Sequence, residues 1–354
     1  MTLVMTAAEC VLNAPRPTSR HPLIRVTWLR HRTALAGFSV AFAALACAMI
    51  AGRSEVQGIY ASYINAGCAT GKFNATCANA SNAFANHEDL FTAVTVALRV
   101  LPVAIGVFLG APLLARELES GSFRFSWTQA VGRRRQVVTT FAVLAGFLVA
   151  ASAGLGLLYG WFSHPFEVAH TQSQWDSGLF ESTPLVLAGW TTFAFTLGTL
   201  LGAVIGRTVA AMAATAITLG ALAIGTTFEF VQRLLSIAPA VVSHIAPTTN
   251  FGMLNQASYP GYGLPGTWLV RAWVTGPHGV LLTHSALLSL ERPMYYPKDG
   301  KPDPAKWLSE HHYVYSLAYQ PASRFWIFQG VETAILFGLA TVLVAGTLWR
   351  VRRV

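Results

Sequence analysis

Three charged side chains lie inside otherwise apolar stretches: Arg99, Glu229 and Glu332. A charge in hydrocarbon is costly, so it normally faces a partner or an aqueous cavity. Arg99 sits about nine residues, and Glu332 about seven, from the same end of their stretches, roughly 10–14 Å deep at 1.5 Å per helical residue. That shared depth predicts an ion pair between them. Such a pair acts either as a latch between helices or as a polar element of a path through them. Cys68 and Cys77 stand nine positions apart in one short segment, a spacing that permits a disulfide in an oxidising compartment. Other chemistry is missing. No G-x-x-x-x-G-K-[ST] or H-E-x-x-H occurs, the histidines form no metal set, and no Ser/His/Asp combination stands out. No catalytic residue and no metal site is assigned, and no cofactor is expected in this chain.

The elements that carry these residues are long. Six apolar stretches of 20 to 26 residues run over Thr33–Gly52, Leu90–Ala115, Val137–Phe162, Pro184–Ile205, Thr208–Val231 and Phe325–Trp349. A hydrocarbon core of about 30 Å needs roughly 20 helical residues, so each stretch can span it. The composition agrees, with 53% hydrophobic and 11% charged residues. Soluble domains carry about 25% charged residues.

The net charge of +9 reports topology. Arg16, Arg20, Arg25, Arg30 and Arg32 precede the first stretch. Arg116, Arg124, Arg133, Arg134 and Arg135 lie between the second and third, Arg207 between the fourth and fifth, and Arg350, Arg352 and Arg353 in the tail. These alternate segments hold 14 basic and 3 acidic residues, against 9 basic and 10 acidic on the other side. Basic segments stay in the cytoplasm, so both termini are expected there. Arg133–Arg135 could be read as a nucleic-acid patch. Beside a lipid boundary, three arginines act as anchors, and no nucleic-acid partner is expected.

The expected fold is an all-α membrane protein of six transmembrane helices. Residues 1–32 form a cytoplasmic arm, 33–232 hold helices one to five, 233–324 an external cap, and 325–354 the sixth helix and tail. The first helix is read as an uncleaved signal anchor. Residues 53–89 read as an external loop, rich in Ala, Asn and Gly with little to pack, which a disulfide would staple. Residues 163–183 read as a short external link. In the cap, Leu234–Ile245 is too short to span and could dip into the membrane edge. Asp303–Pro304 reads as a helix start running through His311. The cap is therefore expected to consist of short helices. Gly106 with Gly110, and Gly198 with Gly202 and Gly206, mark close helix approach without naming the partner helix. Arginine outnumbers lysine 20 to 4, which points to a GC-rich bacterial genome and a bacterial plasma membrane.

The segment Arg116-Glu117-Leu118-Glu119-Ser120-Gly121-Ser122, followed by Trp127-Thr128-Gln129-Ala130-Val131-Gly132-Arg133-Arg134, resembles the type-two ATP-binding cassette (ABC) permeases. Glu117, Glu119, Gly121, Ser122 and Arg133 fall on that family's pattern after the second helix, although Ala130 replaces a frequent proline. Tyr319–Trp326 with Phe328, Gln329 and Glu332 is similar to an actinobacterial subgroup. The resemblance implies a dimeric exporter subunit, paired with a second copy or a homologue. It also implies separate ABC ATPase subunits that bring ATP and magnesium, so this chain is not itself the enzyme. Residues 116–136 would couple the two, with Phe123, Phe125 and Trp127 as hydrophobic anchors. The implied cargo is a hydrophobic or amphipathic compound. Two other readings remain open at this stage: an ion-coupled secondary transporter, and a non-transporting sensor or scaffold.

Overall fold

The computed structural model describes residues 21–70, 75–121, 133–169, 173–225, 240–245, 267–282, 307 and 310–353. Its helices are α1 (His21–Asn65), α2 (Ala75–Ala85), α3 (Glu88–Glu119), α4 (Arg133–Val168), α5 (Ser177–Glu181), α6 (Pro184–Ile205), α7 (Thr208–Gly225) and α8 (Phe325–Arg353). Strands β1 (Val241–Ile245), β2 (Trp268–Thr275) and β3 (Val314–Gln320) form one sheet. Five helices, α1, α3, α4, α6 and α8, are long and apolar enough to cross a membrane. The expected fifth span is described over 18 residues, Thr208–Gly225; Glu229 lies outside the described residues.

Side-chain contacts fix the helix directions. Gly106 meets Ala194 and Gly110 meets Phe195, so α3 and α6 run parallel. Trp190 meets Glu332 and Leu200 meets Gly346, so α8 runs the same way. The α1 and α4 helices run opposite to these: Gly52 lies beside both Leu90 and Phe162. The α7 helix starts where α6 ends and returns past Gly106 through Leu219. The described chain therefore begins and ends at one end of the bundle, together with Arg116, Arg207, Arg350 and Arg352. The sheet occupies the other end.

The α6 helix is central, with 72% of its most apolar window buried, against 17% for α1 and 22% for α8. Its buried threonines satisfy their hydroxyls on its own backbone. Thr192, Thr196 and Thr199 donate to the carbonyls of Ala188, Thr192 and Phe195, while Thr191 accepts from Ser152 at 3.0 Å. The peripheral helix α1 buries Leu35, Phe42, Met49, Val56 and Tyr63, one residue in seven. The α4 helix answers with Val137, Phe141, Leu144, Leu148, Leu155, Tyr159, Phe162 and Phe166, at alternating steps near three and four. This is the seam of a left-handed helix pair.

Apolar area alone does not drive helices together in lipid; close packing does. The α3–α6 contact shows it. A Cβ on Gly106 would lie 2.7 Å from the Ala194 carbonyl oxygen, and one on Gly110 2.5 Å from that of Phe195. Gly198 faces the Gly106 carbonyl and Gly202 that of Ala111. The two glycine series thus pack on each other within one chain. Between Pro102 and Pro112, residues Gly106–Gly110 form a π turn in α3. Pro102 lacks the N–H that would close its own helical bond.

Three sequence expectations are corrected. Residues 53–89 are largely helical: α1 continues to Asn65, and α2 folds back with Cys77, Ala80 and Phe84 buried. Alanine is the best helix former, and Phe84 finds rings in Tyr63 and Phe166, at 6.0 and 5.7 Å between centroids. The bridge Cys68–Cys77 is present, with 5.5 Å between Cα atoms. Residues 163–183 are likewise not a simple link, because α4 runs to Val168 and α5 follows. Finally, the described part of the cap contains an antiparallel sheet of order β1-β3-β2. Within Leu234–Ile245, read as a run that could dip into the membrane edge, Val241–Ile245 pairs with Tyr315–Tyr319. The β-branched and aromatic residues of these runs favour pleated pairing. The proposed helix from Asp303 falls mostly outside the described residues, though His311 N–H donates to the Trp307 carbonyl.

Gly198→Ala should lower the thermal unfolding midpoint in detergent, at a cost of about 1–3 kcal/mol for overpacking against backbone. Gly37→Ala, whose new methyl meets nothing within 4 Å, should not. Equal midpoints for both variants would rule out the close α3–α6 approach.

Candidate functional site

Polar side chains converge where α3, α5, α6 and α8 meet, at the sheet end. Arg99 on α3 donates from Nε to Glu181 Oε2 of α5 at 2.9 Å. Their side chains are 21% and 12% exposed. Glu332 of α8, 4% exposed, accepts from Trp190 Nε1 of α6 at 3.1 Å. The expected ion pair is therefore corrected: Arg99 is met by Glu181, and Glu332 by an indole. Gln329, one turn before Glu332, donates to the Phe180 carbonyl at 2.9 Å and bonds the Thr183 hydroxyl. Thr183 is the residue before Pro184, so this contact ties the start of α6 to α8 and α5. On the other flank, the hydroxyls of Thr95 and Tyr159 share a 2.7 Å bond.

Aromatic rings close the cluster on the sheet side. Trp175 stacks on Phe180 and on Trp268 of β2, and meets Phe325 and Phe328 edge-on. Trp175 thereby joins the sheet to α8. Arg324 donates to the buried Gln320 at 2.6 Å at the end of β3.

Two carboxyls of the α4–α6 connection are tuned by this enclosure. Burial pushes Asp176 above its ordinary range, against the pull of a 2.8 Å hydrogen bond from the Ser173 N–H. Burial also raises Glu181, and the Arg99 hydrogen bond and charge offset only part of that. Desolvation thus outweighs ion pairing at Glu181.

At the opposite end, α3 stops at an elbow. Ser120 N–H donates to the Arg116 carbonyl and Gly121 N–H to that of Leu118, with Gly121 at φ 64°. That left-handed geometry favours glycine and ends the helix. Glu119 Oε2 accepts from the Thr208 N–H at 2.9 Å. A carboxylate there satisfies an orphan donor and meets the positive end of the α7 dipole. Gly206, also left-handed at φ 67°, makes the α6–α7 turn beside Leu118. The elbow and this turn are one assembly. Glu117 is half-buried on the last turn of α3, and Arg133 opens α4. Phe123, Phe125 and Trp127 lie outside the described residues.

Residues 39–231, more than half of the chain, match the sequence model of the ABC-2 membrane transporter related family. The chain belongs to this family. No curated protein and no solved structure matches it. Membership makes the chain a permease component of an ABC transporter, with an ABC ATPase as partner and a multi-pass membrane setting. The matched region carries α3, its elbow and the α6–α7 turn of the permease. Sequence reading missed Glu181 because it stands in a polar connection, outside any apolar stretch. The available signal was its position three residues before Pro184, the helix start.

Breaking the Arg99–Glu181 pair from one side should cost the permease roughly 3–5 kcal/mol, because a half-buried charge loses its hydrogen-bonded counter-charge. Arg99→Met and Glu181→Leu should each lower the unfolding midpoint sharply, and the double variant should recover most of it. A double variant as weak as the worse single one would show the two are not coupled.

The raised carboxyls also set a pH dependence. A carboxyl that binds its proton more tightly when folded stabilises fully below its unfolded value, 3.8 for Asp176. That contribution is lost as pH rises through the folded pKa. Asp176→Asn keeps an acceptor for Ser173 and removes the charge. Its stability relative to wild type should grow as pH rises above about 4 and level off once pH has passed the raised folded pKa. An offset independent of pH would contradict a raised Asp176.

Proposed function

We propose that this chain is the membrane-spanning subunit of an ABC exporter. It moves a hydrophobic or amphipathic compound outward, using ATP hydrolysed with magnesium on separate ATPase subunits. The observation that carries the reading is the family match, whose span encloses residues 116–136. In this reading six helices cross a bacterial plasma membrane with both termini cytoplasmic, and the subunit pairs with a second copy or a homologue. The sheet-bearing end, with residues 233–324, is external.

The elbow geometry supports a mechanical role for residues 116–136. Glu119 ties the end of α3 to the start of α7, and the glycine contacts tie α3 to α6. A push on the segment after Gly121 therefore reaches three helices. Ion-gradient coupling would want titratable groups near the midplane. Among the described residues, the buried charges sit toward the sheet end, where Arg99 is met by Glu181.

The test is ATPase co-purification and substrate-stimulated turnover. Phe123→Ala and Trp127→Ala should each weaken ATPase binding by 2 kcal/mol or more, roughly thirtyfold, as lost aromatic anchors do. Substitutions in β2 or β3 should leave ATPase binding intact. If both aromatic variants bind the ATPase and transport normally, the segment lies on the membrane surface and does not couple.

A further inference from the structure

Two arginines lie near the sheet end of the bundle, and their surroundings differ. Arg99 has a carboxylate. Arg53 of α1 has rings: its guanidinium carbon lies 5.3 Å from the centroid of Tyr60 and 5.3 Å from that of Trp161 on α4. Tyr60 is held in turn by an edge contact with His164, 6.0 Å between centroids. Among the described residues Arg53 makes no hydrogen bond and no ion pair. Its Nη1 atom is buried without a partner.

The level of Arg53 is fixed by its neighbour Gly52, which lies beside Leu90 in the first turn of α3. Glu88 and Asp89, both exposed, begin that turn. Arg53 is thus within one helical turn, about 5 Å, of the charged boundary of the bundle. Arg53 is half-buried, beside a Trp161 that is 47% exposed. One turn deeper on the same faces, Ile50 and Leu157 are 52% and 67% exposed. A cation at this level needs a counter-charge. Aromatic faces hold a guanidinium by its plane and leave its edge donors free. Those edge donors match the oxygens of a phosphate.

We propose that Arg53, Tyr60 and Trp161 form a binding site for the phosphate of an anionic phospholipid. One negative headgroup neutralises one unpaired arginine, whereas a zwitterionic headgroup leaves the site charged. Ile50 and Leu157 give the acyl chains an apolar track, which distinguishes a lipid from free phosphate.

The experiment titrates the purified full-length protein in detergent with phosphatidylglycerol, counting bound lipid by native mass spectrometry. Wild type should hold one phosphatidylglycerol about tenfold more tightly than Arg53→Gln, a modest figure for a lost charge-assisted contact. Phosphatidylcholine binding should be the same in both, and millimolar inorganic phosphate should not displace the lipid. Arg53→Lys keeps the charge without the planar fork and should fall between the two; it also serves if Arg53→Gln does not fold. An intact Cys68–Cys77 bridge and an unchanged unfolding midpoint certify each variant. Equal phosphatidylglycerol affinity in wild type and Arg53→Gln, or in wild type and Arg53→Lys where only that variant folds, overturns the site. Displacement by inorganic phosphate overturns the lipid as its ligand.

Discussion

The backbones of α3 and α6 touch, and much else in the bundle depends on that contact. Surrounded by lipid tails, a helix gains little from hiding leucines, so approach distance decides what holds. Four glycines let carbonyl oxygens of one helix lie against the Cα atoms of the other, a geometry suited to weak Cα–H···O bonds. The α6 helix can then act as the axis of the molecule. Its polar hydroxyls turn inward onto its own carbonyls, and α3, α4, α7 and α8 pack around it.

The ends of the bundle are fastened differently. At the sheet end, charged and amide groups stitch helix starts together, and Trp175 seats the sheet on α8. Each polar group there sits at low dielectric, so a missing partner costs more than a present one gains. At the elbow end the fastening is backbone geometry: two left-handed glycines and one carboxylate on a helix start. The first kind resists separation of helices. The second fixes the angle at which the chain leaves them.

Much of this was legible in the sequence, and the rest was hidden for identifiable reasons. Pro184–Ile205 was read to the residue, since Pro184 opens the helix and Gly206 closes it. The Cys68–Cys77 pairing was also legible. The glycine series announced close packing but not its partner, because spacing describes one helix at a time. The length of α1 was underestimated: the apolar stretch was ended at Gly52, whereas Val56 and Tyr63 continue the seven-residue stripe begun at Leu35. That stripe was available and would have extended the helix. The sheet was missed because Val241–Ile245 and Val314–Gln320 lie some seventy residues apart, and hydropathy windows do not see pairing at that range. Glu332 was recognised as buried, but its indole partner carries no charge to flag it.

The π turn at Gly106–Gly110 has a geometric consequence for the elbow. A π turn carries one residue more than the α turn it replaces. One residue of an α-helix is about 100° of rotation. The half of α3 beyond Gly110 is therefore turned by about that angle from where an unbroken helix would place it. This offset sets the azimuth at which Glu119 finds the start of α7, while the glycine face above it stays against α6. The extra residue works as a fixed twist that keeps Ala111 against Gly202 of α6 while Glu119 reaches α7.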